Sequence, residues 1–148
     1  MGGKMLCPCW SGIVYEMCCQ PFHLGERPDT ALQLMRSRYA AYALCIPEYI
    51  IETTHPENPY FCADTASWME KIMLFSKHTQ FTGLDILDFH QTDSAATVVF
   101  FAHLKKEGKD VSFMEKSDFE KVDGKWLYRS GQVIGHAGCK THEYPHFS

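Results

Sequence analysis

Apolar residues recur at helical steps in the first half of this chain and at strand steps in the second. Leu32, Met35, Tyr39, Tyr42 and Ile46 lie three or four apart, and Asp29 or Thr30 stands in front of them as a cap, so a first helix is predicted here. Pro47 suits an opening turn, and Glu48 to Thr54 read as a short second helix that His55-Pro56 stops. Asp64 caps a third helix running to about Lys77, with Trp68, Ile72 and Phe75 on one stripe and Met69 and Met73 beside it.

From Phe81 the period falls to two. Leu84 and Ile86 alternate with polar neighbours, then Leu87 and Phe89 take the opposite parity, as in a strand with a bulge. Ala95 to Lys105 is almost continuously apolar, which predicts a central strand covered on both faces. After Gly108, a third strand starts at Val111 and reaches Val122. Asp123-Gly124 then signals a tight hairpin into a fourth strand, Lys125 to Arg129. Gly131 to Ser148 has no period and is expected to be irregular. Helices first and an antiparallel meander afterwards make an α+β fold with the helices on one sheet face.

Composition changes this picture little. An apolar fraction of 45% in 148 residues is enough for one globular core, and a formal charge of −4 supplies no overall field towards nucleic acid or an anionic membrane. No apolar run approaches the ~20 residues of a membrane span. A soluble chain with an odd number of cysteines, seven, is expected in the reducing cytoplasm.

Cysteine placement matters more. Cys7, Cys9, Cys18 and Cys19 fall within thirteen residues. Adjacent α-carbons lie ~3.8 Å apart, short of the ~4.4–6.8 Å a disulfide prefers, so Cys18 and Cys19 are poor partners for each other. Four thiolates on one ion explain the pattern better. A complete set of four sulfurs is the closed geometry of structural zinc, Zn2+, with no position for an activated water. Ser11-Gly12 permits a tight turn, with Ser11 a candidate helix cap. Lys4 is near enough in sequence to offset thiolate charge, and Tyr15 would pack the unit. Gln20 to Pro28, with two prolines and a glycine, reads as a connector, so the domains are expected at 1–24 and 28–148.

Cys7, Cys9, Ser11, Gly12, Tyr15, Cys18 and Cys19 resemble the SEC-C motif, C-x-C-x-S-G followed by an aromatic and C-C or C-H, named for the zinc-binding tail of the SecA translocation ATPase. Trp10 stands where the motif usually has Gly, and Ile13 and Val14 where lysines are common. With Gln33 to Tyr42 added, the chain resembles bacterial SEC-C proteins of unassigned function whose main domain is NTF2-like. The resemblance implies a cone of three helices on a curved sheet, preceded by the zinc unit. It also implies a binding or adaptor role towards a protein partner or the ribosome, in translation or export.

An NTF2-like cone also offers an interior pocket, and the alternative expectation is a small-molecule-binding protein or enzyme using it. Asp88, His90, Glu115 and Arg129 are the candidate pocket residues, with His103 and Ser117 beside them, and Asp88 with His90 could serve as acid and base. No motif assigns a catalytic residue. Arg36 and Arg38, two apart, point to different sides of the first helix, as surface ion pairs or a connector to the cysteine unit. His23 reads as an interface residue, and Cys139 with His142 as a weaker second metal candidate. A homodimer is a further expectation.

Overall fold

The computed structural model describes residues 4–136. The chain opens with a small unit: Leu6 and Val14 form an antiparallel bridge, a 3-10 turn follows at Tyr15–Met17, and a single-turn helix α1 spans Gln20–His23. The main domain begins at Thr30. Its hydroxyl accepts from the Gln33 N–H at 3.1 Å while Gln33 Oε1 accepts from the Thr30 N–H at 3.2 Å, a reciprocal cap that starts α2 at Ala31–Leu44. Cys45 ends this helix in the left-handed conformation, φ 57°. α3, Pro47–Glu52, uses its proline in the first turn, and α4, Thr65–His78, is capped by Asp64 accepting from the Ser67 N–H.

The strands are β1 (Thr79–Gln91), β2 (Ala95–Lys106), β3 (Lys109–Asp110), β4 (Phe113–Val122) and β5 (Lys125–His136). They form one antiparallel sheet in the order β1-β2-β4-β5, with β3 a short flap on β2. The parity change read in the sequence is a register shift between Ile86 and Asp88, and further shifts lie at Phe81/Gly83, Met114/Glu115 and Asp118/Phe119. Each inserts local twist, and together they bend the sheet around the helices. Asp123 and Gly124 take φ values of 50° and 80°, as a two-residue hairpin with two left-handed positions requires.

Three expectations are corrected. β2 is central but is fully covered on one face only: Ala96, Val98, Phe100, Ala102 and Leu104 are buried, whereas Thr97, Val99, Phe101 and His103 are half-buried because the helices lie on one side. The third strand does not start at Val111, since Lys109–Asp110 first fold back on β2. The fourth runs on to His136, where glycines had hidden the continuation.

Leu34, Met35, Tyr39, Tyr42, Ile50, Trp68, Ile72, Val98 and Phe100 build the core between helices and sheet. A second cluster joins Cys7, Cys9 and Cys19 to Ala40 of α2. α2 is therefore packed on both sides, with the sheet on one and the cysteine unit on the other. Among the described residues no helix is long and apolar enough to cross a membrane.

Candidate metal centre

The cysteine unit closes through its backbone. Cys7 N–H donates to Ile13 O at 2.8 Å, Trp10 N–H to Cys7 O at 3.1 Å and Tyr15 N–H to Met5 O at 2.8 Å. Trp10 and Gly12 both take left-handed φ, 64° and 85°, so the motif's usual glycine position is backbone-demanding and is filled here by a tryptophan. The turn brings Cys7 and Cys9 over Cys18 and Cys19, which leave the 3-10 turn.

The four Sγ atoms lie within 4.8 Å of one another, with Cys9–Cys18 at 3.6 Å and Cys18–Cys19 at 3.9 Å. A tetrahedral ion with metal–sulfur bonds of ~2.3 Å needs sulfurs ~3.8 Å apart. The donor set fits one such ion and leaves it no open position. Cys7, Cys9 and Cys19 are buried and Cys18 is half-buried. Thiol hydrogen bonds from Cys19 and Cys7 hold the Cys9 thiol well below its ordinary range, while Cys19 is pushed far above it. Four thiolates at this spacing need positive charge among them.

The residues around the sulfurs differ from the expected ones. Ser11 caps no helix: its hydroxyl accepts from the Ile13 N–H at 3.2 Å and stands 3.1 Å from Cys18 Sγ as donor. Lys4 is paired with Glu16 instead of the thiols. Arg36 Nη1 donates to Cys9 O at 3.0 Å and lies 3.9 Å from Cys9 Sγ. His23 is the expected interface residue. Its Nε2–H donates to Ser37 O at 2.8 Å, so its Nδ1 accepts from the Tyr15 hydroxyl at 2.6 Å, and burial lowers its pKa, favouring the neutral ring. Trp10 Nε1–H donates to Phe81 O at 3.2 Å, pinning the unit to the start of β1.

The four pocket candidates do not converge. Asp88 and His90 pair with each other at 3.2 Å on the outer sheet face, opposite Val99 and Thr97, and both are exposed. Arg129 is half-buried and reaches Glu57 at 3.3 Å and Glu120 at 3.7 Å. Of the four, only Glu115 enters the cone, because the unbroken alternation of β4 puts it on the concave face with Phe113, Ser117 and Phe119. Both Ser117 (2.6 Å) and the Tyr128 hydroxyl (2.8 Å) donate to its Oε2, and burial raises its pKa.

Arg38 is the interior residue that sequence reasoning placed on the surface. Its Nη1 donates to Ile50 O at 3.0 Å and to the hydroxyls of Thr53 at 2.7 Å and Thr54 at 3.1 Å, and its guanidinium lies 4.6 Å from the Tyr128 ring centre. Its position four residues after Leu34 and four before Tyr42, within the buried stripe, was the available signal. Asp85 was likewise missed; it pairs with His103 across the outer face at 2.7 Å. The cavity lined by Met35, Arg38, Tyr39, Phe100, Ser117, Phe119 and Tyr128 leaves about 10 Å³ for the centre of a water-sized sphere, room for one water at most. Cys45 is exposed and Cys62 half-buried, both as free thiols, and the Cys139–His142 pair lies outside the described residues.

Residues 30–131 match the family described as YchJ, middle NTF2-like domain. Among solved structures, a SEC-C motif containing protein from Rhodopseudomonas palustris is 33% identical, with a TM-score of 0.75 over 88% of this chain and 99% of its own. A second, from Psychrobacter arcticus, is 28% identical, with a TM-score of 0.69 over 95% of this chain and 88% of its own.

Proposed function

The chain belongs to the YchJ family of SEC-C motif proteins with an NTF2-like middle domain, and on that premise we propose that it is a zinc-stapled binding protein whose cysteine unit docks a protein partner. Zinc is the ion that suits four thiolates in a closed tetrahedron, and its binding free energy of about 10–16 kcal/mol suffices to fold a unit this small. Bound there, it supplies structure and no reactive position. The observation that carries the docking role is the surface around it. Met17 (73% exposed), Leu6 (62%), Met5 (53%) and Ile13 (49%) present apolar side chains to solvent within one small unit. Beside them a groove of about 520 Å³ runs between Ile13, Met17, Pro21 and Phe22 on one wall and Leu32 and Arg36 on the other. Ile13 and Val14 replace the motif's usual lysines, so the contact is apolar where the SecA-type contact is basic.

A partner in translation or export, the ribosome included, follows from the SEC-C resemblance, and the reducing cytoplasm suits four free thiolates. Among the described residues the enclosed cavity of the cone has room for one water at most, which favours the outer surface as the binding site. The test is retention of a partner from cell extract by zinc-loaded wild type, by Met17→Asp and Ile13→Asp with unchanged metal content, and by the metal-free Cys18→Ser/Cys19→Ser double variant. Wild type is expected to retain a partner that all three lose. Identical co-purifying proteins in every case would end the docking reading.

A further inference from the structure

Four thiolates around a divalent ion carry two excess negative charges, and a site with three of its four ligands buried has to neutralise them from within the fold. Among the described residues the nearby cations are few. Lys4 is committed to Glu16 at the surface. His23 has both ring nitrogens engaged, by the Tyr15 hydroxyl and by Ser37 O. Arg36 remains. It comes from α2 of the NTF2-like domain, and a single Nη1 spans Cys9 O at 3.0 Å and Cys9 Sγ at 3.9 Å. Cys9 and Cys19 are the most deeply buried ligands, where unscreened charge costs most, and Arg36 reaches Cys9. The Ser11 hydroxyl stands 3.1 Å from Sγ of the half-buried Cys18 and offers a neutral dipole, not a charge.

Resting on the zinc reading above, we infer that Arg36 is a positioning residue of the metal centre: it fixes the Cys9 loop through the carbonyl and screens the Cys9 thiolate, so that the NTF2-like domain sets how tightly the neighbouring unit holds its ion. Metal retention and the docking of the two units are then one equilibrium. Loss of the ion weakens the hold of α2 on the Cys9 loop, and loss of Arg36 loosens the ion.

The experiment uses the full chain loaded with one equivalent of zinc and follows transfer of zinc to a chromogenic chelator, alongside cobalt-substituted samples read by their thiolate-to-metal charge-transfer bands. Arg36→Met is expected to release zinc roughly 10- to 100-fold more readily, the range typical for loss of an outer-shell partner, and to shift the cobalt band as the Cys9 sulfur becomes a stronger donor. Arg36→Lys keeps a charge without the planar fork and should fall between Arg36→Met and wild type. Lys4→Met should match wild type. If Arg36→Met fails to fold, Arg36→Lys carries the test by the same two readouts. Zinc release and cobalt spectra unchanged in the Arg36 variants overturn the inference while leaving the zinc site intact; a wild-type chain that takes up no zinc overturns the metal reading itself.

Discussion

Replacing Trp10 by glycine restores the residue usual in the motif and should nevertheless destabilise this protein. Trp10 sits at φ 64°, a conformation that costs a side-chain-bearing residue about 1–2 kcal/mol and glycine almost nothing. Against that relief stand its contacts. At 54% exposed, the indole withdraws a little under half of its surface from water. Of the about 250 Å² a tryptophan can bury, that is about 115 Å², or about 3 kcal/mol at 25 cal/mol/Å². The hydrogen bond to Phe81 O adds about 1 kcal/mol. Contacts outweigh strain, and the net loss for Trp10→Gly is about 2–3 kcal/mol, all of it on the closure of the cysteine unit against β1. Trp10→Ala loses the same contacts and keeps the strain, so it should lie about 1 kcal/mol below Trp10→Gly. Hydrogen exchange on the zinc-loaded chain reads this directly, because the amides of Cys7, Trp10 and Tyr15 are bonded within the closed unit. At about 1.4 kcal/mol per decade, exchange at Cys7 and Tyr15 should quicken about 30- to 150-fold in Trp10→Gly, with β2 amides unaffected. Unchanged exchange in Trp10→Gly, or an alanine variant more protected than the glycine one, would refute the reasoning.

Other perturbations have equally definite outcomes. Cys18→Ser/Cys19→Ser should release one zinc per chain by elemental analysis and abolish amide protection over residues 7–19, while the NTF2-like domain keeps its own unfolding transition. Glu115→Gln should remove a pH dependence. The folded pKa of Glu115 is raised by burial above the unfolded value, so its contribution to stability is whole at pH below the unfolded pKa and is lost as pH rises towards the folded one. The variant's urea midpoint should therefore lack that acid-to-neutral decline and equal or exceed wild type at pH 7. Gly131→Ala should cost about 2–4 kcal/mol in denaturant unfolding, because a Cβ there overlaps Tyr128 Oη and Glu115 Oε2 and would part a carboxylate from its buried donor.

Much of this architecture was legible from local chemistry alone. Thr30, Asp64 and Asp123-Gly124 act through bonds within a few residues, and each ends up where its own side chain or φ value dictates. The Leu87 parity change likewise shows as a bulge because alternation records which face is buried. The four metal ligands were legible as a pattern, since a closed donor set leaves its spacing in the chain. What surrounds them was not. Arg36 and Arg38 look alike in composition, yet one reaches Cys9 and the other enters the cone; the spacing of Arg38 from Leu34 and Tyr42 recorded its burial, whereas nothing local recorded the cysteine unit that Arg36 meets. Asp88 and His90 stay outside because the Leu87 bulge reverses parity in β1, while Glu115 turns inward in phase with Phe113 and Phe119; both signals were in the alternation, and the polar side chains masked them. Lys4 was assigned to the thiols by proximity in sequence, and Glu16 was closer in space.

α2 has one further consequence. Ala40 and Ser37 are fully shielded on the side that faces the cysteine unit, just as Tyr39 is on the side facing the sheet. The seam that composition suggests near residue 28 thus runs through a shared wall, and a fragment cut there would lack the cover of one side of its central helix. The two parts of the chain are separable as motifs and share one wall.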